Sequence, residues 1–225
     1  MTQIIPLQSS LNTCYIIKDR GAVLVDGAWP GAAKPFSRLL ADSGLQPEEI
    51  QLIILTHGDF DHVGGTREIQ ELTGAKIVMH RYDSENLEKA IFHWPGGVTP
   101  WGKISRAFFM PFVKVKGKFE AAKVDIPLDD DGLSLEEYGI SGRIIHTPGH
   151  TFGSISVVLE SGDAFVGCLA QNRAPFVLRP KLPIYAKDLE LLKKSWEKVL
   201  SMGAETIYPG HGRPFPVQMI TKYLK

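Results

Sequence analysis

The sequence predicts a layered α/β architecture, folded as one domain over residues 1–225. Up to residue 80, short runs rich in Val, Ile and Leu alternate with stretches whose apolar residues recur at helical spacing. From Ala122 a second β-rich series begins, so the chain has two similar β-rich halves. No shift of composition between them marks a linker.

Taken in order, residues 3 to 9, 14 to 18 and 22 to 26 are β-rich, with Lys18-Asp-Arg-Gly21 as the hairpin turn between the last two. Phe36, Leu39 and Leu40 place a helix from about Ala33 to Ser43. Leu52-Ile-Ile-Leu55 is a buried strand, Thr66 to Thr73 a helix closed by Gly74, and Lys76 to His80 a strand. Residues 83 to 118 break the rhythm: Ser84 to Phe92 is a candidate helix, Trp94 to Trp101 a broken loop, and Phe108, Phe109 and Phe112 follow. That insertion is either a packed helical bracket or a lid over a pocket. Lys114, Lys116 and Lys118 alternate with Val115 and Gly117 as an exposed strand face or a linker. In the second half Val124 to Leu128, Gly142 to His146, Ser154 to Leu159 and Ala164 to Cys168 are strands, Glu205 to His211 is a last strand with its loop, and Asp129 to Asp131 is a solvated turn. Leu191, Leu192, Trp196, Val199 and Leu200 give a helix from about Leu189 to Met202 its buried face.

With 225 residues, 44% of them hydrophobic, the chain can bury a substantial core. Lys plus Arg equal Asp plus Glu at 25 each, which offers no electrostatic case for nucleic acid or an anionic membrane surface. No run of 18 apolar residues spans a bilayer, and Met1 to Pro6 lacks the features of a secretory signal. The two cysteines, Cys14 and Cys168, read as separate thiols in a reducing cytoplasm. Nothing in the sequence speaks to oligomeric state.

The chemistry is concentrated after the Leu52 strand, where Thr56-His-Gly-Asp-Phe-Asp-His62 brings His57, Asp59, Asp61 and His62 onto one loop. Imidazoles and carboxylates so closely spaced suit zinc and its first-row neighbours. Four further β-rich runs end in a chemically capable side chain: Asp26, His150, Cys168 and His211. Strand ends gathered at one edge would bring all of these into one cleft.

These motifs, with His146-Thr-Pro-Gly-His-Thr-Phe-Gly-Ser154 and Tyr208-Pro-Gly-His211, resemble the metallo-β-lactamase superfamily in order and over nearly the whole chain. The resemblance implies an α+β fold, an αβ/βα four-layer sandwich of two mixed β-sheets flanked by helices, with metals at the edge between the sheets. It assigns His57, Asp59 and His150 to a first metal and Asp61, His62 and His211 to a second, with Cys168 shared or on the second. Two positions depart from the family's commonest pattern. Asp59 stands where most members carry His, and Cys168 where many have a bridging Asp, as in zinc β-lactamases that use a thiolate there. The extra negative charge weakens a metal as Lewis acid and favours harder ions, so one or two Zn²⁺ are expected with Mn or Fe as alternatives. Read without the family, Cys168 has the alternative reading of a small buried thiol.

By this resemblance the protein is a metal-dependent hydrolase whose metal-bound hydroxide cleaves a small ester, thioester, lactone or lactam, with Asp61 orienting the water. Asp26 takes either a supporting role, fixing the tautomer of a ligand imidazole, or a turn role. His146 supports the second loop, and His80 and His93 read as ordinary, partly buried histidines. The aromatic insertion points to an apolar small-molecule substrate. The alternatives are a phosphodiesterase or nuclease of the same superfamily, a di-iron oxidoreductase, and a metal-depleted binding protein.

Overall fold

The computed structural model describes residues 2–8, 12–172 and 179–224. Its first sheet holds β1 (Gln3–Gln8), β2 (Thr13–Lys18), β3 (Ala22–Val25), β4 (Ile50–Ile54), β5 (Lys76–His80) and β6 (Ile126–Leu128), hydrogen-bonded in that order. The first three strands pair antiparallel and the last three join parallel. The second sheet runs β12 (Phe215–Pro216), β11 (Thr206–His211), β10 (Asp163–Gln171), β9 (Ile155–Leu159), β8 (Gly142–His146) and β7 (Leu133–Ser134). Residue 9, placed in the first strand by the sequence, lies outside the described residues.

Continuous apolar runs arise because both faces of each sheet are covered. In β3, Ala22 and Leu24 pack toward α1 (Ala33–Asp42) and α3 (Thr66–Thr73), whereas Val23 and Val25 face the other sheet. From Leu52 on β4 alternates likewise, with Ile53 outward and Leu52 and Ile54 inward, while Ile50, before the register shift against β3, also faces outward. Across the interface Val157 and Phe165 complete the inner layer, while Ala164, Val166 and Ile207 lie against α6 (Leu189–Ser201). Strand periodicity of two thus sorts one sequence into three apolar layers, giving the four-layer sandwich of two mixed sheets flanked by helices. α6 buries Leu192, Trp196 and Val199, with Leu191 and Leu200 half-buried at its margins. Among the described residues no helix is long and apolar enough to cross a membrane.

The structure corrects four expectations about segments. Val124 to Leu128 does not open the second half: β6 pairs parallel with β5, the intervening helices forming the crossover that a parallel pair requires. The first of these, α4, covers Arg81–Glu88 rather than 84 to 92, because the His80 side chain accepts from Tyr82 N at its start and Ala90, at φ 48°, lies just beyond its end. The second, α5, spans Pro100–Lys116, begun by Thr99 accepting from Gly102 N, so Trp101 is helical. Lys114 and Lys116 belong to its last turn, where cations offset the helix dipole, not to a strand face or linker. The short helix α2 (Phe60–Val63) and α7 (Gln218–Thr221) complete the α-helices among the described residues.

Candidate metal centre

The edge where β3, β4, β10 and β11 end carries the chemistry, and the geometry begins with Asp26. Its backbone sits in the left-handed region at φ 67°, an arrangement that holds only where surroundings enforce it. There the carboxylate accepts from Thr56 N at 2.8 Å, from Thr56 Oγ1 at 2.8 Å and from His62 Nδ1 at 2.7 Å.

Hydrogen-bond accounting then fixes three imidazoles. Thr56 spends its one hydroxyl proton on Asp26, so Oγ1 accepts from His57 Nδ1 at 2.9 Å. His62 Nδ1 donates to Asp26, and His150 Nδ1 donates to the Tyr185 carbonyl at 2.8 Å. In each ring Nδ1 holds a proton, leaving Nε2 for a second proton or a cation. His57 Nε2 is buried without a hydrogen-bond partner, and Asp59 Oδ2 lies 3.5 Å from it.

Around these nitrogens the remaining side chains converge. Asp59 Oδ2 is 3.0 Å from His150 Nε2. His62 Nε2 lies 3.3 Å from His211 Nε2, 3.4 Å from Cys168 Sγ and 3.9 Å from Asp61 Oδ2, and His211 Nε2 is 3.4 Å from that same oxygen. Of four sets of donor atoms that lie within 4.8 Å of one another among the described residues, three are here: His57, Asp59 and His150; Asp61, His62 and His211; His57, His62 and Cys168; the fourth is His80, Asp130 and His146. All seven residues expected from the sequence are therefore brought together. Two glycines make this approach feasible. Gly167, at φ 51° beside a register shift in β10, turns Cys168 inward where a side chain would strike Thr56, and a Cβ on Gly210 would sit 2.5 Å from the His62 ring.

The electrostatics follow from this crowding. Burial alone would raise the Cys168 thiol, but His211, His62, His150 and His57 pull it well below the ordinary thiol value. Burial opposes charge on His150 and His211 too, yet the Cys168 thiolate, with Asp59 and Asp61, lifts them to about 10 and about 9. A buried array with one orphaned nitrogen, thiolate and carboxylates fits divalent cations.

Some residues stand where the sequence did not place them. His93 is not an ordinary histidine: Nδ1 lies 2.5 Å from Asp59 Oδ1. Nor is His80, whose ring stacks on His146 at 4.1 Å with Asp130 Oδ1 3.2 Å from its Nε2 and 3.1 Å from His146 Nδ1; the acidic turn is thus tied to both rings. His146 also donates to the Phe152 carbonyl and so supports its loop. Phe108 and Phe112 do not reach the site; they are 66% and 67% exposed on α5. Thr56 and the Tyr185 carbonyl were missed altogether. A hydroxyl before the first ligand was a visible signal for the one, while a main-chain oxygen leaves none.

A family model described as the metallo-beta-lactamase superfamily matches residues 10–211. The chain belongs to that superfamily. Relatives of this metallo-beta-lactamase superfamily member include a probable metallo-hydrolase of Methanocaldococcus jannaschii, 30% identical over 88% of this chain and 86% of its own length. Another, a probable metallo-hydrolase of Bacillus subtilis, is 27% identical over 85% of this chain and 75% of its own. Among solved structures, a superfamily protein from Sulfolobus tokodaii aligns with TM-score 0.71 and 19% identity, covering 99% of this chain and 84% of that one. That last likeness concerns the fold. Membership and the relatives' names support a metallo-hydrolase, and the fold implies divalent metal binding.

Proposed function

We propose that the protein is a zinc-dependent hydrolase of a small ester, thioester, lactone or lactam, working in a reducing cytoplasm. The observation that carries this reading is the pinning of three imidazoles through Nδ1, which turns their Nε2 atoms toward Asp59, Asp61, Cys168 and His211. His57, Asp59 and His150 would hold one ion; Asp61, His62 and His211, with Cys168, a second. Imidazole and thiolate together favour zinc over harder ions. A bound dication supplies Lewis acidity to the oxygen that gains charge and makes water a nucleophile near neutral pH.

The chain's own groups do the rest. Asp26, Thr56 and the Tyr185 carbonyl keep each ligand ring in one tautomer. Asp61, whose Oδ2 faces both His62 and His211, orients the attacking water and accepts its proton at the carboxylate. Substrate lies in the adjoining cavity of about 550 Å³, lined by Tyr82, Asn86, His93, His146, Phe152 and Lys187, a size typical of small-molecule sites. Phe60, stacked on Phe92 at 4.8 Å, and Trp94, packed on Tyr185 at 5.0 Å, form an apolar wall around the ligand loop. Both cysteines are free thiols, in keeping with a reducing compartment.

Elemental analysis of the purified protein, then a panel of ester, thioester, lactone, lactam and phosphodiester substrates with and without chelator, tests the proposal. About two zinc ions per chain and chelator-sensitive turnover of a carbonyl substrate are expected. A metal-free protein that takes up no zinc, or turnover confined to phosphodiesters, would refute it.

A further inference from the structure

Asp59 is 3% exposed, and a buried carboxylate needs partners on both oxygens. Its Oδ2 faces His57 and His150, on the side of the first ligand set. Its Oδ1 faces the other way and meets a single imidazole, Nδ1 of His93 at 2.5 Å. Since a carboxylate only accepts, the proton in that contact is on His93.

His93 is delivered there by a built segment. Its neighbour Phe92 stacks on Phe60 at 4.8 Å and 18°, and Phe60 lies between Asp59 and Asp61 in the ligand loop. On the other side Trp94 packs edge-on against Tyr185 at 5.0 Å, the residue whose carbonyl holds His150. The Trp94 carbonyl in turn accepts from Arg106 of α5 at 3.1 Å. One flank of His93 is thus anchored to the ligand loop and the other to the residue whose carbonyl holds His150, so the segment between α4 and α5 acts as a bracket reaching into the centre.

We propose that His93 is a positioning residue for the metal centre: it holds the outer oxygen of Asp59 so that the inner oxygen serves as the donor that an imidazole supplies in most of the family. This rests on the metal-centre reading above. An imidazole at position 59 would not use this clamp, because its outer nitrogen would carry a proton and need an acceptor rather than a donor. A carboxylate can rotate about its last bond and present either oxygen, and loss of the outer hydrogen bond leaves a buried acceptor unsatisfied. His93 settles both at once.

The test uses the full chain, stripped with chelator and titrated with zinc at one fixed pH against a chromogenic chelator, reading affinity and ions bound per chain. His93→Ala should weaken one zinc site by about 10- to 100-fold. His93→Asn, whose amide nitrogen overlays Nδ1, should restore binding to within a few-fold of wild type, and it keeps the question answerable if the alanine variant fails to fold. In an Asp59→His background, adding His93→Ala should change zinc affinity less than about twofold, because the carboxylate it serves is gone. Wild-type affinity in His93→Ala, or an equal loss in both backgrounds, would overturn the proposal while leaving the hydrolase reading intact. Failure of the wild-type chain to bind zinc would instead overturn the hydrolase reading on which it rests.

Discussion

Replacing Asp26 by Asn probes the centre without touching any candidate ligand. Asn tolerates the left-handed backbone at φ 67°, and its one carbonyl oxygen can still accept from Thr56. Its amide must then face His62 Nδ1, where the native carboxylate accepts at 2.7 Å. Donor meets donor, so the ring is driven to the other tautomer and its proton moves to Nε2, the atom turned toward Cys168 and His211. Supporting partners of this kind are worth about 10- to 100-fold in metal affinity, which is about 1.4–2.8 kcal/mol at 1.4 per decade. The metal-free chain loses a charge-assisted hydrogen bond worth about 1.5–3 kcal/mol. The sign with pH is set by His62: burial lowers its affinity for protons, but Asp26, Cys168 and Asp61 raise it well above the ordinary histidine value. A histidine raised on folding stabilises fully below about pH 6.5, its unfolded value, and that contribution is lost as pH rises through the folded value. Urea denaturation of metal-free Asp26→Asn should therefore show its largest deficit at and below about pH 6.5, shrinking on the alkaline side. Zinc affinity within twofold of wild type, or a deficit that grows with pH, would refute this account of the centre.

Three other outcomes follow from the same structure. Zinc must displace the protons that His150 and His211 hold up to about 10 and about 9, so apparent affinity should fall at least about tenfold per pH unit below about pH 9; a flat calorimetric profile down to about pH 6 would contradict it. Trp196 is fully buried against β10, with Nε1 donating to Leu169 O at 3.0 Å, so Trp196→Ala should cost about 3–5 kcal/mol by urea denaturation. Phe112, 67% exposed, should tolerate Phe112→Ser within about 0.5 kcal/mol, and a larger loss in the melting transition would mean that α5 packs more closely than its exposure indicates.

Much of the architecture was legible because strand burial on both faces writes itself as unbroken Val, Ile and Leu runs. β3 and β5 could be read to within a residue, as could α3, whose Gly74 takes φ 70° at its end, while β4 begins at Ile50, two residues before the start expected from the sequence. What periodicity does not encode is the strand's partner. Val124 to Leu128 has the composition of either sheet, and only the crossover through α4 and α5 sends it to β5. α5 was obscured because it carries Pro111 in its interior and its large apolar residues point outward, so it lacks the buried stripe by which α6 announces itself. The site divides along similar lines. His57, Asp59, Asp61 and His62 follow the end of β4 and His150 lies beyond β8, while His211 closes β11; Cys168, expected at a strand end, lies within β10, which runs on to Gln171 past the irregularity at Gly167. His93 was not legible: a lone histidine in an aromatic segment has no pattern, and its meaning comes from the carboxylate at position 59.

The charge balance explains how one cleft can hold so many acids. Asp26, Asp59 and Asp61 and the thiol of Cys168 are each at most 8% exposed, and that much buried negative charge is costly without compensation. Imidazoles supply it in one of two ways. Without metal, the raised proton affinities of His62, His150 and His211 let protons stand between the rings and the anions. A bound dication would supply that compensation instead, in exchange for those protons. The same Nε2 atoms serve both states because Asp26, Thr56 and the Tyr185 carbonyl hold Nδ1 in each. The two states therefore differ in what lies between donors already in place. This places the dependence on metal in the chemistry of the centre and leaves the sandwich itself to its three apolar layers.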